Sequence, residues 1–430
     1  MNERTGDEIN PGPKKPRSDN LFHLGEFRTL WAAYAQSILG DQLARVALSL
    51  LVFERTDSPG WTAATYALTT LPALLSGVLL SGLADRFPRR TVMVSCDLVR
   101  MVLVGLMALP GMPLPLLAGL LVLAQLAEAP FGAAQGALLP TVLGAQRYER
   151  GQRIMQITHQ VGQLVGFAGG GLLAAWLGSN LSLGVNALTF LLSAMLVRFG
   201  VKARPAASAD ARKTRLGAQV GGAAALIWSD RRLRSLLALG WLAGFVVLPE
   251  GLAAPFADEA GGGAYSVGLL LASHPAGMVL GAALLGRAKV GDESRRRLLG
   301  PLAIGANLPL VAYWLDPGVG AAMFLLLVAG VCSAYQITAG ATFVLLTPVD
   351  RRGQALGLAR SGVTAMQGIG VALGGVATEL SGSSANTIGA SGLLGVLCAI
   401  LAAAAWSRAR GTRGADDSPE GVDPLAAKRG

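Results

Sequence analysis

Three charged side chains lie within long apolar stretches of this sequence, where an ionisable group is costly. Asp41 and Arg45 are four residues apart in ILGDQLARVALSL, and Glu128 lies in QLAEAPFG. Side chains four residues apart share one helix face, so Asp41 and Arg45 can form an ion pair. Glu128 has no basic residue within one helical turn. Because desolvation favours the neutral form of a carboxylic acid, we expect Glu128 to bind and release a proton beside Asp41 and Arg45.

Each of these groups also has a purely structural interpretation. Asp41 and Arg45 can tie two helices together, and a protonated Glu128 can hydrogen-bond to another helix. Pro130 predicts a bend near Glu128. A second pair, Asp97 and Arg100, is three residues apart and is expected to be a supporting ion pair. Four further ionisable groups are expected to be satisfied by local partners: Glu250, Glu379, His159 and His274.

Twelve apolar stretches must form the elements that hold these charges. The 430 residues are 52% hydrophobic and only 14% charged, which is outside the usual composition of soluble domains. A helix needs about 20 apolar residues to cross a bilayer, where its backbone groups must bond internally. We therefore predict an all-α membrane protein with twelve transmembrane helices in two six-helix bundles. The predicted spans, numbered one to twelve, are 28–51, 61–84, 91–110, 114–143, 154–177, 181–199, 233–255, 266–286, 299–315, 319–346, 361–380 and 387–406.

The positive charges fall on one side of the predicted membrane. The chain has 36 Lys and Arg and a net charge of +10. Arg55 falls in a loop on the other side, and Arg45 and Arg100 fall inside spans, so 36 − 3 = 33 lie on the side of the termini. Basic loops mark the cytoplasmic side of a membrane protein. We expect both termini to be cytoplasmic, and the basic charge to serve this orientation rather than binding to nucleic acid.

A basic segment rich in Ala and Ser divides six spans from six. Part of it, 215–229, can form an interfacial helix with Trp228 as an anchor, although a plain linker is an equal alternative. Cys96, Cys332 and Cys398 lack the spacing of a metal or disulfide framework. The predicted segments are a disordered cytoplasmic tail at 1–20, an N-terminal bundle at 21–199, a cytoplasmic linker at 200–232, a C-terminal bundle at 233–407 and a cytoplasmic tail at 408–430.

The loop after span two contains GLADRFPRR, residues 82–90. It resembles the G-x-L-a-D-r-x-G-r-r signature of the major facilitator superfamily, with Pro88 in place of the second Gly. The resemblance implies the major facilitator fold. It also implies a conformational latch, in which the Asp and the basic residues bind helix ends of the opposite half of the molecule. The latch residues are Gly82, Asp85, Arg86 and Arg90, and ordinary positive-inside charge is the alternative explanation.

Span five carries glycines at helical spacing. Gly162, Gly166, Gly170 and Gly171 resemble the g-x-x-x-G-P-x-x-G-G motif of antiporters in this superfamily, with Phe167 where Pro is expected. Glycines four residues apart let helices approach closely, so helix packing alone is an equal explanation.

The resemblance implies a secondary transporter that works by alternating access between two bundles. No nucleotide-binding or catalytic motif is present, so an enzyme is not expected, and the intramembrane acids favour a proton gradient. The pattern most resembles the drug and metabolite efflux branch, including LGDQLARVAL in span one. We predict a proton-coupled antiporter that exports a small hydrophobic drug or secondary metabolite. A proton-coupled importer of a sugar, organic acid or amino acid is the alternative, and a non-transporting scaffold is the third reading.

The expected partners are a small-molecule substrate, protons and the lipid bilayer, with no cofactor and no metal. The expected form is a monomer in the bacterial inner (plasma) membrane. Spans seven and ten line the central cavity by family resemblance. The candidate substrate contacts are Gln36, Gln125, Trp241, Phe245, Tyr335 and Gln336, for which packing is the alternative role.

Overall fold

The computed structural model describes residues 21–72, 76, 86–204, 224–287, 291–348 and 351–411. All regular secondary structure in these residues is helical. Of the predicted latch, Gly82 and Asp85 lie outside the described residues, as do 1–20 and 412–430 of the predicted tails.

Six spans form the first half of the molecule. Span five and span six follow each other directly in the 56-residue helical stretch Ala145–Gly200. Gly178 divides it, because its φ of 78° is a conformation that glycine adopts without strain. The helices are Gly25–Thr56 (span one), Pro59–Leu68 (start of span two), Arg89–Met107 (three), Leu114–Leu126 with Glu128–Leu143 (four), and Ala145–Gly200 (five and six).

Six further spans form the second half. Their helices are Arg231–Trp241, Ala243–Gly251 and Ala253–Glu259 (span seven), Ala264–Arg287 (eight), Leu299–Val311 with Ala312–Leu315 (nine), Val319–Ser333 with Tyr335–Leu346 (ten), Arg352–Ser381 (eleven) and Ser384–Gly411 (twelve). In the described residues, seven helices are by themselves long and apolar enough to cross a membrane, and the others complete twelve. The predicted fold class is confirmed. The last helix continues to Gly411, so the tail predicted from 408 begins inside it.

Span four is broken where a proline was expected to bend it. Pro130 has no N–H to donate to the carbonyl of Leu126 four residues earlier, so that acceptor loses its helical partner. The Ser76 hydroxyl from span two donates a hydrogen bond to the Leu126 carbonyl instead. The helix restarts at Glu128 after Ala127. The interruption therefore lies one residue before the acid of this span.

Large apolar side chains cover the outside of both bundles. Leu181 and Leu188 of span six are exposed, as are Leu373 of span eleven and Leu401 of span twelve. Such a belt would be unusual in water, but it is the expected surface of helices surrounded by lipid tails. The chain is therefore a multi-pass membrane protein.

The two bundles meet near one membrane face. An even number of spans puts residues 21 and 411 at one face, here called the terminal face, and the other is called the opposite face. Spans five and eight touch at Gly171 and Gly268, where a Cβ added to Gly171 would lie 2.6 Å from the Gly268 Cα. Spans two and eleven touch at Ala63 and Gly375. All four residues lie in the part of their spans nearest the opposite face, so the bundles are closed there.

The described ends of the linker attach to both bundles. Arg204 forms an ion pair with Glu26 of span one at 2.8 Å. This hydrogen-bonded guanidinium holds the pKa of the Glu26 carboxyl below its usual value. Of the predicted interfacial helix, 224–229 is helical, with Trp228 exposed and Ile227 buried against the second bundle. Residues 215–223 lie outside the described part of the chain.

Candidate functional site

A cavity of about 170 Å³ lies inside the first bundle, and all six of its spans contribute to the lining. Water needs only about 10–15 Å³ of such volume, so the cavity has room for several water molecules. It is smaller than the roughly 300–1,000 Å³ of a typical ligand pocket. Its charged and amide lining residues are Asp41, Gln42, Arg45, Arg100, Gln125, Glu128, Gln135 and Asn186.

Asp41 pairs with Arg100 rather than with Arg45. The Arg100 guanidinium lies 3.0 Å from the Asp41 carboxylate, and it also stacks over the Phe190 ring at 4.2 Å. The Asp41 side chain is 27% exposed, and that of Arg100 is 5% exposed. The sequence predicted the Asp41–Arg45 pair from spacing on one helix. The long arginine of span three reaches across to span one, which helix spacing does not report.

Asp97 lies behind this pair and does not line the cavity. It is completely buried, and within the described part of the chain neither of its carboxylate oxygens has a hydrogen-bond partner. The predicted ion pair between Asp97 and Arg100 is therefore not formed as a contact. The three-residue spacing brings the two side chains to one side of span three, but the guanidinium is turned towards Asp41.

Arg45 and Glu128 face each other across the same cavity. Arg45 lies beside the Tyr66 hydroxyl and interacts electrostatically with Glu128 and Asp41. Glu128 interacts in the same way with Arg100 of span three. Glu128 directly follows the one-residue interruption of span four at Ala127. In the described residues, Glu128 has no hydrogen-bond partner, and its side chain borders the cavity.

Tyr34 and His159 complete the polar lining on another side, and sequence reasoning did not place them there. The Tyr34 hydroxyl lies 3.5 Å from His159 Nδ1. His159 was expected to be satisfied locally, and Tyr34 was not singled out. A tyrosine or amide in a span has the same sequence signature whether it faces a cavity or a packed helix. The amino-acid sequence therefore contained no feature that would have placed Tyr34 and His159 at the cavity.

Of the six candidate substrate contacts, only Gln125 lines this cavity. Gln36 donates to the Thr189 carbonyl at 2.7 Å, and Tyr335 donates to the Leu239 carbonyl at 2.7 Å. Trp241 packs against Gly362 of span eleven. The others, Phe245 and Gln336, belong to the second bundle, and Phe245 packs on its apolar core.

Of the two described latch residues, Arg90 contacts its own bundle. Arg90 donates to the carbonyls of Arg198 and Val201 at the end of span six, at 3.5 and 3.1 Å. Arg86 is exposed. Among the described residues, the expected contacts of Arg90 with the opposite half are not found, because the bundles meet at the opposite face while this loop lies at the terminal face.

The span-five glycines serve two different contacts. A Cβ at Gly162, Gly166 or Gly170 would meet span one at 2.7, 2.8 and 3.0 Å, so these three pack the first bundle. Gly171 instead faces Gly268 of span eight. The last glycine of the motif is therefore a crossing point between the bundles.

Comparison with known proteins agrees with this architecture. A family model described as Major Facilitator Superfamily matches residues 30–252. The uncharacterized MFS-type transporter YkuC of Bacillus subtilis (strain 168) is 22% identical over 182 residues. That match spans 42% of this chain and 42% of the relative, so less than half of its length is covered.

Several solved structures have the same fold. A bacterial homolog of the human lysosomal transporter Spinster, in an inward-facing and occupied conformation, has a TM-score of 0.70 at 16% identity, covering 90% of this chain and 96% of that one. The nucleoside transporter NupG has a TM-score of 0.68 at 13% identity, covering 90% and 99%. A peptide transporter POT has 0.71 at 13%, covering 89% and 94%. At these identities the likeness shows the fold alone.

Proposed function

Because this chain belongs to the Major Facilitator Superfamily, we propose that it is a proton-coupled antiporter that exports a small hydrophobic drug or secondary metabolite by alternating access. One observation carries this proposal: a cluster of two acids and two arginines around a cavity inside the first bundle. Charges in a membrane are costly and are kept mainly where they serve a transport pathway. The cluster consists of Asp41, Arg45, Arg100 and Glu128.

Glu128 is the proposed proton carrier within this cluster. Asp41 is held by the Arg100 guanidinium at 3.0 Å as one partner of a fixed ion pair. Glu128 has no such direct contact in the described residues and faces the cavity. A group that exchanges protons must reach water in at least one state. The small cavity suits water and protons, so the exported compound binds between the bundles rather than inside the first one.

The arrangement of the bundles supports alternating access. The bundles are closed at the opposite face through Gly171 and Gly268. With the termini in the cytoplasm, as the basic loops favour, this is a conformation that opens to the cytoplasm. The proposed latch of Gly82, Asp85, Arg86 and Arg90 then engages the second bundle only when the terminal face closes. In the present conformation Arg90 contacts span six instead.

The remaining site assignments belong to the same proposal. Trp241, Phe245 and Gln336 of the second bundle are the proposed substrate contacts, while Gln125 belongs to the cavity inside the first bundle. We also propose that the protein is a monomer in the bacterial inner membrane, with both termini in the cytoplasm.

Purified protein in liposomes with an internal pH dye tests the proposal. A panel of lipophilic antibiotics and dyes is added under an imposed pH gradient to wild type, Glu128→Gln and the control Glu149→Gln. Glu149 is an exposed acid that pairs with Arg153 on the surface. We expect compound-evoked proton movement in wild type and in the control, and its loss in Glu128→Gln. Wild type that moves no protons with any compound would contradict proton coupling.

One observation favours the alternative of proton-coupled import. The cavity is lined by the amides of Gln125, Gln135 and Asn186 as well as by charges. Amides placed around a cavity suit a polar solute such as a sugar, an organic acid or an amino acid. In the liposome assay, import predicts that only polar solutes evoke proton movement, and that solute and protons enter together.

A further inference from the structure

A chain of polar groups crosses from one bundle to the other near the opposite face. The Tyr66 hydroxyl of span two donates a hydrogen bond to Glu250 Oε2 of span seven. The other carboxylate oxygen, Oε1, lies 3.9 Å from His274 Nδ1 of span eight. His274 Nε2 lies 3.1 Å from the Ser333 hydroxyl of span ten. Two titratable groups of the second bundle are therefore linked to the first bundle through one tyrosine.

This chain lies in an apolar setting. The side chains of Glu250 and His274 are 15% and 8% exposed. The apolar cluster around them joins both bundles and includes Phe167 of span five and Phe256 of span seven. Isolated charges are strongly disfavoured in such surroundings. Glu250 and His274 therefore need an arrangement in which their charges are absent or balanced.

The hydrogen bonds fix where the protons are. The Ser333 hydroxyl donates its only proton to the Ala329 carbonyl at 2.9 Å, so it must accept from His274 Nε2. A neutral His274 then presents the unprotonated Nδ1 to Glu250 Oε1. Two acceptors would face each other there unless one of them carries a proton. The geometry therefore leaves room for one proton on Glu250 Oε1 or on His274 Nδ1.

We propose that Glu250 and His274 form a second proton-binding site, which holds one proton while the opposite face is closed and exchanges it with that face when the bundles separate. This inference rests on the alternating access of the proposed function, but not on Glu128 as carrier. With one proton the pair is neutral overall, either as two neutral groups or as a carboxylate beside an imidazolium. Opening breaks the Tyr66 contact, because Tyr66 and Glu250 belong to different bundles. Water then reaches the carboxylate and stabilises its charge.

Few other charged groups bear on this site. In the described residues, the titratable or charged groups around Glu250 are Tyr66 and Arg45 from the first bundle and His274 from the second. Arg45 also lines the Glu128 cavity. Its positive charge favours the carboxylate form, so withdrawal of that charge on opening opposes proton release, and the proposal requires hydration of the carboxylate to outweigh this loss. Arg45 thus interacts with both proposed proton sites, the one at Glu128 and the one at Glu250.

Linkage sets the direction of the effect. If the closed state holds one more proton than the open state, acid favours closure and alkali favours opening. A single proton changes the ratio of the two states by at most about tenfold per pH unit. The effect is confined to the pH range where the pair titrates.

Distances across the opposite face test this proposal without any substrate. Spin labels are attached at Trp61→Cys in the first bundle and Tyr265→Cys in the second, both exposed positions near that face. The background carries Cys96→Ser, Cys332→Ser and Cys398→Ser. Double electron–electron resonance in lipid nanodiscs is recorded between about pH 5 and pH 9, where buried acids and histidines titrate. We expect the longer-distance population to grow as the pH rises.

Three variants distinguish the effect of protonating Glu250 from the effect of its hydrogen bond with Tyr66. Glu250→Gln keeps an acceptor for Tyr66 but cannot titrate, so it should remain closed at every pH. Tyr66→Phe removes the hydrogen bond but keeps the acid, so it should open more while keeping the pH dependence. The matched control is Glu379→Gln, another acid that bridges the bundles, through Ser58 and Gly60 at 2.9 Å, but on the exposed surface. It should keep the pH dependence.

The outcomes distinguish the two proposals. Two populations whose ratio ignores pH, or full pH dependence in Glu250→Gln, would overturn the proton site and leave alternating access standing. A single population in wild type at every pH would overturn both. If Glu250→Gln does not yield folded protein by size-exclusion chromatography, His274→Asn replaces it, and it is expected to lose the pH dependence as well.

Discussion

The two bundles have the same six-span architecture but handle their polar groups differently. In the first bundle, charged side chains of different spans gather around a cavity, as Asp41 and Arg100 do. In the second bundle, polar groups deep in the spans bond to backbone carbonyls. Tyr313 donates to Ala322 at 3.2 Å, and Asn307 donates to Ala303 at 2.9 Å. The first bundle places charged side chains around a cavity, while in the second bundle these buried polar side chains are paired with backbone carbonyls.

This difference between the bundles distinguishes polar groups that can titrate from polar groups that only stabilise the helix packing. Hydrogen bonds to a backbone carbonyl satisfy a buried donor without leaving a group free to titrate. Ion pairs around a water-holding cavity keep charges that can change. The exception in the second bundle is the pair of Glu250 and His274, which lies where the two bundles meet. The proposed proton chemistry is thus confined to the first bundle and to its boundary with the second.

The largest expected effect tests the buried charges of the first bundle. Arg100→Met leaves the Asp41 carboxylate without its cation and removes the stacking on Phe190. Breaking a buried ion pair costs about 3–5 kcal/mol, and we expect about 3 kcal/mol because Asp41 is partly exposed to the cavity. Thermal unfolding in detergent measures it.

The control for this change is Arg297→Met in the second bundle. Arg297 pairs with Glu293 on the surface, with 69% and 60% of the two side chains exposed. An exposed pair contributes at most about 1 kcal/mol. Equal losses in the two variants would contradict the claim that the charges of the first bundle are special.

A smaller effect is expected at the seam between the bundles, the contact of Gly171 with Gly268. In Gly171→Ala, the new Cβ meets the backbone of Gly268 at 2.6 Å, and backbone cannot rotate away. Overpacking costs about 1–3 kcal/mol. This corresponds to a shift of roughly 5–150-fold towards the open state at the opposite face. The labels at positions 61 and 265 measure it.

Gly169→Ala is the matched control for the seam. It lies in the same helix, two residues away, and nothing lies within 4 Å of its added Cβ. The change in helix propensity is the same in both variants, so it cancels. A similar shift in both would show that backbone flexibility, rather than the close approach, governs closure.

The smallest expected effect concerns the polar groups of the second bundle. Tyr335→Phe removes the hydrogen bond to the Leu239 carbonyl, which joins span ten to span seven. We expect a loss of about 1 kcal/mol in stability, because the carbonyl is left without this donor. Transport in the liposome assay should be unchanged. A selective change in the KM for one compound would instead make Tyr335 a substrate contact.

Much of the fold followed from the sequence. Each span is a run of apolar residues. The bend at Pro130 arises because proline lacks the backbone N–H of a helical hydrogen bond. Both features depend only on the local sequence. The charged residues of the site were found for the same reason, because Asp41, Arg45 and Glu128 interrupt apolar runs. The sequence pattern also identified all four span-five glycines.

The contacts of those residues did not follow from the sequence. Spacing within one helix predicted Asp41 with Arg45 and Asp97 with Arg100, but Arg100 crosses to Asp41. Glu250 and His274 were expected to have local partners. Glu250 instead accepts a hydrogen bond from Tyr66, which belongs to the other bundle.

The sequence by itself determined the number of spans, the two-bundle division and which residues are costly in a membrane. These properties depend on the transfer of each stretch between water and lipid, which is additive along the chain. Tertiary structure alone decided which charge pairs with which, which glycine faces the other bundle and which acid lies at the seam. A contact of about 3 Å depends on how separate helices rotate and pack against each other, and that information is shared among distant segments.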